Sequence, residues 1–237
     1  MNELIHLLAV LGLGFVLSFG MGYRRILKFR HLTQQRVVAG LVTALAVFIL
    51  LSSAQWLQII TEQSVTQITM LFYCLIGGFF LGFATKMLQL RKQAQTQLYI
   101  NRSIWTQTAP ALIALAIILF GLSRSGILWF SPFTGINLTS GLSLIGFGCC
   151  GLTVQIVPEF RKKGIIIIDQ FVPWPKVVSY SWQSEQLLQI DYYIKGDILT
   201  DFTTYVPFED RRIIEKLLKK KLEENEEEHK KTITNKA

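Results

Sequence analysis

Along the chain, long apolar runs alternate with short polar interruptions until about residue 158, and the period then changes. Runs almost free of charge cover residues 4–22, 37–60, 68–88, 104–122 and 138–157. Each comes close to or exceeds the roughly 20 apolar residues that a helix needs to cross a bilayer. The pattern therefore predicts five transmembrane helices, with a short turn at 61–67 and a polar loop over 89–103. In the first run the positive charges, Arg24, Arg25, Lys28, Arg30 and Arg36, follow the apolar core. A cleavable signal peptide carries them in front, so this run reads as a retained anchor.

From Gly164 the apolar positions recur every second residue, as in half-buried strands. Ile165–Ile168 is wholly apolar, Val178, Tyr180 and Trp182 alternate with Ser179 and Ser181, and Leu188, Ile190, Tyr192 and Ile194 alternate with polar partners. Phe202, Val206 and Phe208 share the face of a last strand. Residues 209–222 change period again: Ile213, Ile214, Leu217, Leu218 and Leu222 fall on one side of a helix. The expected fold is a five-helix membrane bundle over 1–158, then a small α+β domain over 159–222. That domain is a curved antiparallel sheet capped by one C-terminal helix, and 223–237 follows as a charged, frayed end.

Charge sharpens this picture. The 237 residues carry 24 Lys and Arg against 16 Asp and Glu, a net charge of +8. Up to Pro158 there are two acids, Glu3 and Glu62, against ten bases; from Glu159 onward 14 acids balance 14 bases. The excess belongs to the apolar half, so nucleic acid is not an expected partner, because its basic surface would lie on the folded domain. With five spans, the bases gather in 23–36, 89–103 and Arg161–Lys163, all on one side. The positive-inside bias predicts an external N-terminus and a cytosolic tail, in a cell inner membrane or a photosynthetic membrane.

Candidate chemistry is sparse. Cys74, Cys149 and Cys150 lie in apolar runs without metal-ligand spacing. His6, His31 and His229 have no evident mutual partner, and no Asp or Glu lies inside a run, which disfavours ion-coupled transport. No nucleophile–base pair or phosphate loop stands out, so neither catalysis nor a cofactor is expected. Gly78 and Gly82 form a GxxxG pair, suited to packing within the bundle or to a dimer face. Pro173 and Pro175 bracket Trp174, which places it at a corner, either capping the core or displayed to a partner. Arg161, Lys162 and Lys163 flank the last span, and Trp129 and Phe130 sit in an aromatic loop suited to headgroups. These six residues are the candidate contacts with membrane lipid or with a partner.

The stretches KKGIIIID, FVPWPKVVSYSW and PFEDRRIIEKLLKKKL together resemble the pleckstrin-homology-like domains found as cytosolic tails of prokaryotic membrane proteins. More narrowly, Gly164–Trp182 resembles a multi-pass membrane family to which no reaction is assigned. The resemblance covers 159–222. It departs from phosphoinositide binders, whose bases follow the first strand, where this chain has Asp169-Gln170. The expected role is a binding, assembly or regulatory factor acting on another membrane protein or complex, with a homo-oligomer among the outcomes. The alternative is a small-solute or lipid transporter with a regulatory tail.

Overall fold

A computed structural model describes residues 2–27, 33–99, 104–128, 132–155, 157–194 and 198–234. It divides into two compact units, one of residues 1–88 with 108–154, the other of 89–107 with 155–237.

The first unit is helical. It holds α1 (Asn2–Tyr23), α2 (Gln34–Trp56), most of α3 (Glu62–Gln93), α4 (Ala109–Arg124) and α5 (Gly135–Thr153). Four of these, α1, α2, α3 and α5, are long and apolar enough to cross a membrane. At 16 residues, α4 rises about 24 Å, short of the ~30 Å hydrocarbon core, although a π-helical turn over Ile104–Thr108 leads directly into it. The helix α3 starts at Glu62, so the turn expected at 61–67 is its first two turns. Thr61 caps it, its Oγ1 accepting from the Ser64 N–H at 3.3 Å.

Small residues set the helix spacing. A Cβ on Gly78 would meet the Phe15 carbonyl oxygen at 2.5 Å, and one on Gly82 would overlap the Phe19 carbonyl. The GxxxG pair is thus spent on α1 within the chain, which corrects the dimer-face reading. On another side of α3, Gly77 and Gly146 bring α5 to backbone contact, and Gly121 and Gly141 do the same between α4 and α5. Ser18 Oγ donates to the Leu75 carbonyl at 2.5 Å, linking α1 to α3, and the Lys86 ammonium lies 5.0 Å from the centre of the Tyr23 ring. By contrast, α2 has none of its span buried.

Among the described residues, the second unit holds seven strands and a long helix. The strands β1 (Gln97–Tyr99), β2 (Glu159–Arg161), β3 (Gly164–Ile167) and β4 (Gln170–Pro173) form one antiparallel sheet in that order. A second sheet holds β5 (Val177–Trp182), β6 (Leu187–Tyr193) and β7 (Leu199–Tyr205). One curved sheet was the expectation; the 3₁₀ turn Trp174–Lys176 divides it in two. The loop expected at 89–103 supplies β1, so the folded unit begins well before residue 159.

The core joins Phe160, Ile165, Val172, Trp174, Leu188, Ile190 and Tyr192 with Ile214 and Leu218 of α6 (Arg211–Thr234). A bulge between Val177 and Ser179 rotates the start of β5, so Val177 is buried and Val178 exposed, against the simple alternation. Phe208 and Ile213 are also exposed, because Phe208 opens the 3₁₀ turn ahead of α6 and leaves the strand's face. The helix does not fray at 222. It runs to Thr234, helped at this point by Lys220 and Lys221 reaching Glu224 one turn on.

The α1–α3 contact yields a direct test. Gly82→Val should destabilise the full chain in detergent by roughly 1–3 kcal/mol, since backbone faces the new side chain. Gly40→Val, on open space in α2, should change little by the same thermal-unfolding measurement.

Candidate interaction surface

The second unit is organised by one buried carboxylate. Glu159 opens β2 and is only 2% exposed. Arg91, in the last turn of α3, donates to its Oε1 from Nε at 2.9 Å and Nη2 at 2.6 Å. Arg161 donates to Oε2 from Nε at 2.8 Å and Nη2 at 2.5 Å. The remaining Arg161 nitrogen, Nη1, donates to the carbonyls of Arg91 (3.2 Å) and Gln95 (2.8 Å) at the helix end. A cation there complements the dipole of α3 and takes up carbonyls that lack helical partners. The main chain follows suit: the Lys162 N–H donates to the Thr96 carbonyl at 2.9 Å and the Lys163 N–H to the Ala94 carbonyl at 3.3 Å.

A second tie lies at Tyr99 on β1. Its ring lies 5.9 Å from that of Phe160, and its hydroxyl donates to Asp210 Oδ2 at 2.6 Å, just before α6. Burial pushes the phenol's pKa above its ordinary value, and the Asp210 carboxylate, holding the proton and repelling the phenolate, pushes it further.

These contacts redistribute the predicted residues. Arg161 is an internal ion-pair partner and is not free for headgroups. Trp174 is 4% exposed, and its indole N–H donates to the carbonyls of Arg161 (3.0 Å) and Lys162 (3.1 Å). It is therefore the corner residue of the core, and the displayed-Trp reading is corrected: the 3₁₀ turn folds the ring inward under the β2–β3 turn. Lys162 and Lys163 form that turn and are exposed. Trp129 and Phe130 lie outside the described residues. Trp105, 82% exposed in the π-helical turn before α4, is an aromatic of the kind sought and was not singled out. Sequence reasoning also missed Arg91, Tyr99, Glu159 and Asp210. The one available signal was Glu159 itself, an acid directly behind an acid-free apolar run.

What remains available on this unit is the second sheet. Its outer face carries Ser179, Gln189, Asp191, Asp201 and Thr203; Asp191 accepts from Ser179 Oγ at 2.7 Å and from Gln189 Nε2 at 3.0 Å. Asp191 stands directly opposite Asp201. Beyond Asp201 the strand β7 is the sheet's last member. Within the first unit, an open cleft of about 570 Å³ lies between the starts of α1 and α3, floored by Leu7, Leu11 and Leu71 and rimmed by His6, Gln63 and Gln67.

Comparison with known proteins touches the second unit alone. Residues 157–223 match the family described as "Domain of unknown function (DUF5673)". The match begins just before β2 and ends within α6, so it leaves out β1 and the end of α3. No curated protein matches the chain. No solved structure does either.

Removing the central carboxylate should be costly. Glu159→Gln leaves two poorly exposed guanidinium groups facing an amide. It should destabilise the second unit by roughly 3 kcal/mol or more, seen as faster proteolysis after residue 94 in the full chain.

Tyr99→Phe should cost roughly 1–2 kcal/mol near neutral pH, the worth of a hydrogen bond to a charged acceptor. Because Tyr99 titrates higher folded than unfolded, its contribution is complete below pH 10 and lost as pH rises through the folded value. Alkaline unfolding curves of the variant should therefore show a shallower loss above pH 10 than the parent chain.

Proposed function

We propose that this chain is a multi-pass membrane protein whose second unit is a pleckstrin-homology-like module that binds another membrane protein, in an assembly or regulatory role. In this reading all five helices cross the bilayer, α4 being lengthened by the π-helical turn in front of it. The N-terminus lies outside and the second unit in the cytosol, as the distribution of bases favours. The membrane is a cell inner membrane or a photosynthetic membrane. Four strands, then three, then a terminal helix over the core support the pleckstrin-homology likeness. Lys162 and Lys163, exposed at the β2–β3 turn, suit an anionic leaflet as an accessory contact.

The observation that carries the reading is the edge of β7. It is seven residues long and contains no Pro, Gly, Lys or Arg, and natural proteins normally protect such an edge. The sheet's opposite edge, β5, is bulged and packed by α6. An unprotected edge is a surface for adding a strand from a partner.

The test is co-purification from native membranes with a tag inside the first unit. Proteins that accompany the full chain and are lost from a chain ending at Val154 support the module. A full chain that purifies as a monomer, alone or with lipid only, or partners that persist with the shortened chain, overturn it.

A further inference from the structure

The open edge of β7 also indicates what it pairs with. We infer that its partner is β7 of a second copy of this chain, joined antiparallel about a two-fold axis so that two three-stranded sheets become one. This rests on the module reading above and names the partner.

The Val206 N–H donates to the Gln186 carbonyl at 2.8 Å and the Ile194 N–H to the Ile198 carbonyl at 3.0 Å. In the register Leu188↔Thr204, Ile190↔Phe202, Tyr192↔Thr200, alternation then makes these the hydrogen-bonded pairs of the β6–β7 ladder. The N–H and C=O groups of Leu199, Asp201, Thr203 and Tyr205 consequently point away from β6, toward the open edge. All four residues are exposed. Each presents a donor and an acceptor, and no strand among the described residues lies on that side of β7.

The other outer strands are less suited. β1 has three residues, β4 ends in Pro173 with its missing N–H, and β5 is bulged beneath α6. β7 is regular, in register with β6 over its whole length.

The residue order accommodates self-pairing. A two-fold axis perpendicular to the sheet keeps each face continuous, so a residue meets only residues of its own face. Centred on Phe202, it sets Leu199 against Tyr205, Thr200 against Thr204, Asp201 against Thr203 and Phe202 against its own copy. Every odd-numbered pair joins outward-pointing main-chain groups, and no like charges oppose. Centring one residue earlier sets Asp201 against Asp201, which the like-charge penalty disfavours. The single acid on the strand thus excludes that register, and centring on Phe202 is the arrangement that pairs all seven residues of β7. Two copies held in one membrane meet at a high effective concentration, so a contact limited to one strand pair suffices.

The register can be read by disulfide trapping in the full chain, in native membranes, with Cys74, Cys149 and Cys150 replaced by alanine. Two differently tagged variants, Asp201→Cys and Thr203→Cys, are expressed together and mildly oxidised. The expected result is a mixed dimer carrying both tags, with far less product from either variant alone. Thr203→Pro, introduced beside Asp201→Cys, removes an outward N–H while sparing the β6 ladder, and should abolish trapping with the Thr203→Cys chain. Absence of a mixed dimer, equal trapping for every combination, or trapping that survives Thr203→Pro overturns the inference. If trapping fails while other proteins still co-purify through the second unit, the second copy is excluded and the module reading stands. If no partner depends on that unit, the module reading itself fails.

Discussion

The second unit depends on one carboxylate held by two guanidinium groups. Burying Glu159 alone would be expensive, and burying a single ion pair often gains nothing over apolar packing. Here each carboxylate oxygen accepts two N–H groups, and one arginine also satisfies two carbonyls at the end of α3. Desolvation is offset by full hydrogen bonding, and the arrangement fixes which segment lies beside β2. Arg91 and Glu159 are separated by 68 residues, so the tie forms only when the end of α3 and β2 come together. The family match at 157–223 contains Glu159 and Arg161 but neither Arg91 nor Tyr99. The physical folding unit is therefore larger than the recurrent sequence unit: expressed alone, the matched segment would carry a buried acid short of half its donors and an uncovered edge on β2.

Much of this architecture was legible in the chain, for a definite reason. Apolar runs and two-residue alternation report burial, and burial is a property of single positions. Hence the long helices, the interior faces of β6 and α6, and a core role for Trp174 between two prolines could all be anticipated. The features that escaped depend on pairs. Gln97–Tyr99 is only three residues, too short for a period, and becomes a strand because β2 offers an edge. Arg91 and Arg161 look like flanks of membrane spans, since nothing local links either to Glu159. The bulge at Val178 moves one residue across the sheet without any composition signal, and the division into two sheets comes from a turn whose geometry Pro173 and Pro175 permit but do not dictate.

The first unit packs by a different rule. Its buried contacts are backbone against backbone at Gly22, Gly78, Gly82, Gly141 and Gly146, as suits helices that gain little from hiding leucine among lipid tails. Many large side chains point outward: Leu41, Leu45, Phe48 and Leu50 of α2 and Leu112, Ile113 and Phe120 of α4 are all exposed, while Phe83 and Met87 of α3 are buried. In water that surface would far exceed the apolar patch a soluble monomer carries; in a bilayer it is the ordinary exterior. Several small residues of α1, α3, α4 and α5 thus mark the interior of this unit, whereas Gly12, Gly20 and Gly40 face open space.

That apolar exterior bears on why an unprotected strand edge can persist. For a freely diffusing domain, seven unpaired residues without Lys or Pro invite uncontrolled sheet growth. In the membrane-spanning reading, a domain attached through α3, through the turn before α4 and through the segment after α5 is confined to one membrane. Growth is limited further by the protein's own edges: beyond β5 lies a bulge packed by α6. A sheet extended at β7 would therefore stop at β5, and a strand pair there closes upon itself instead of propagating.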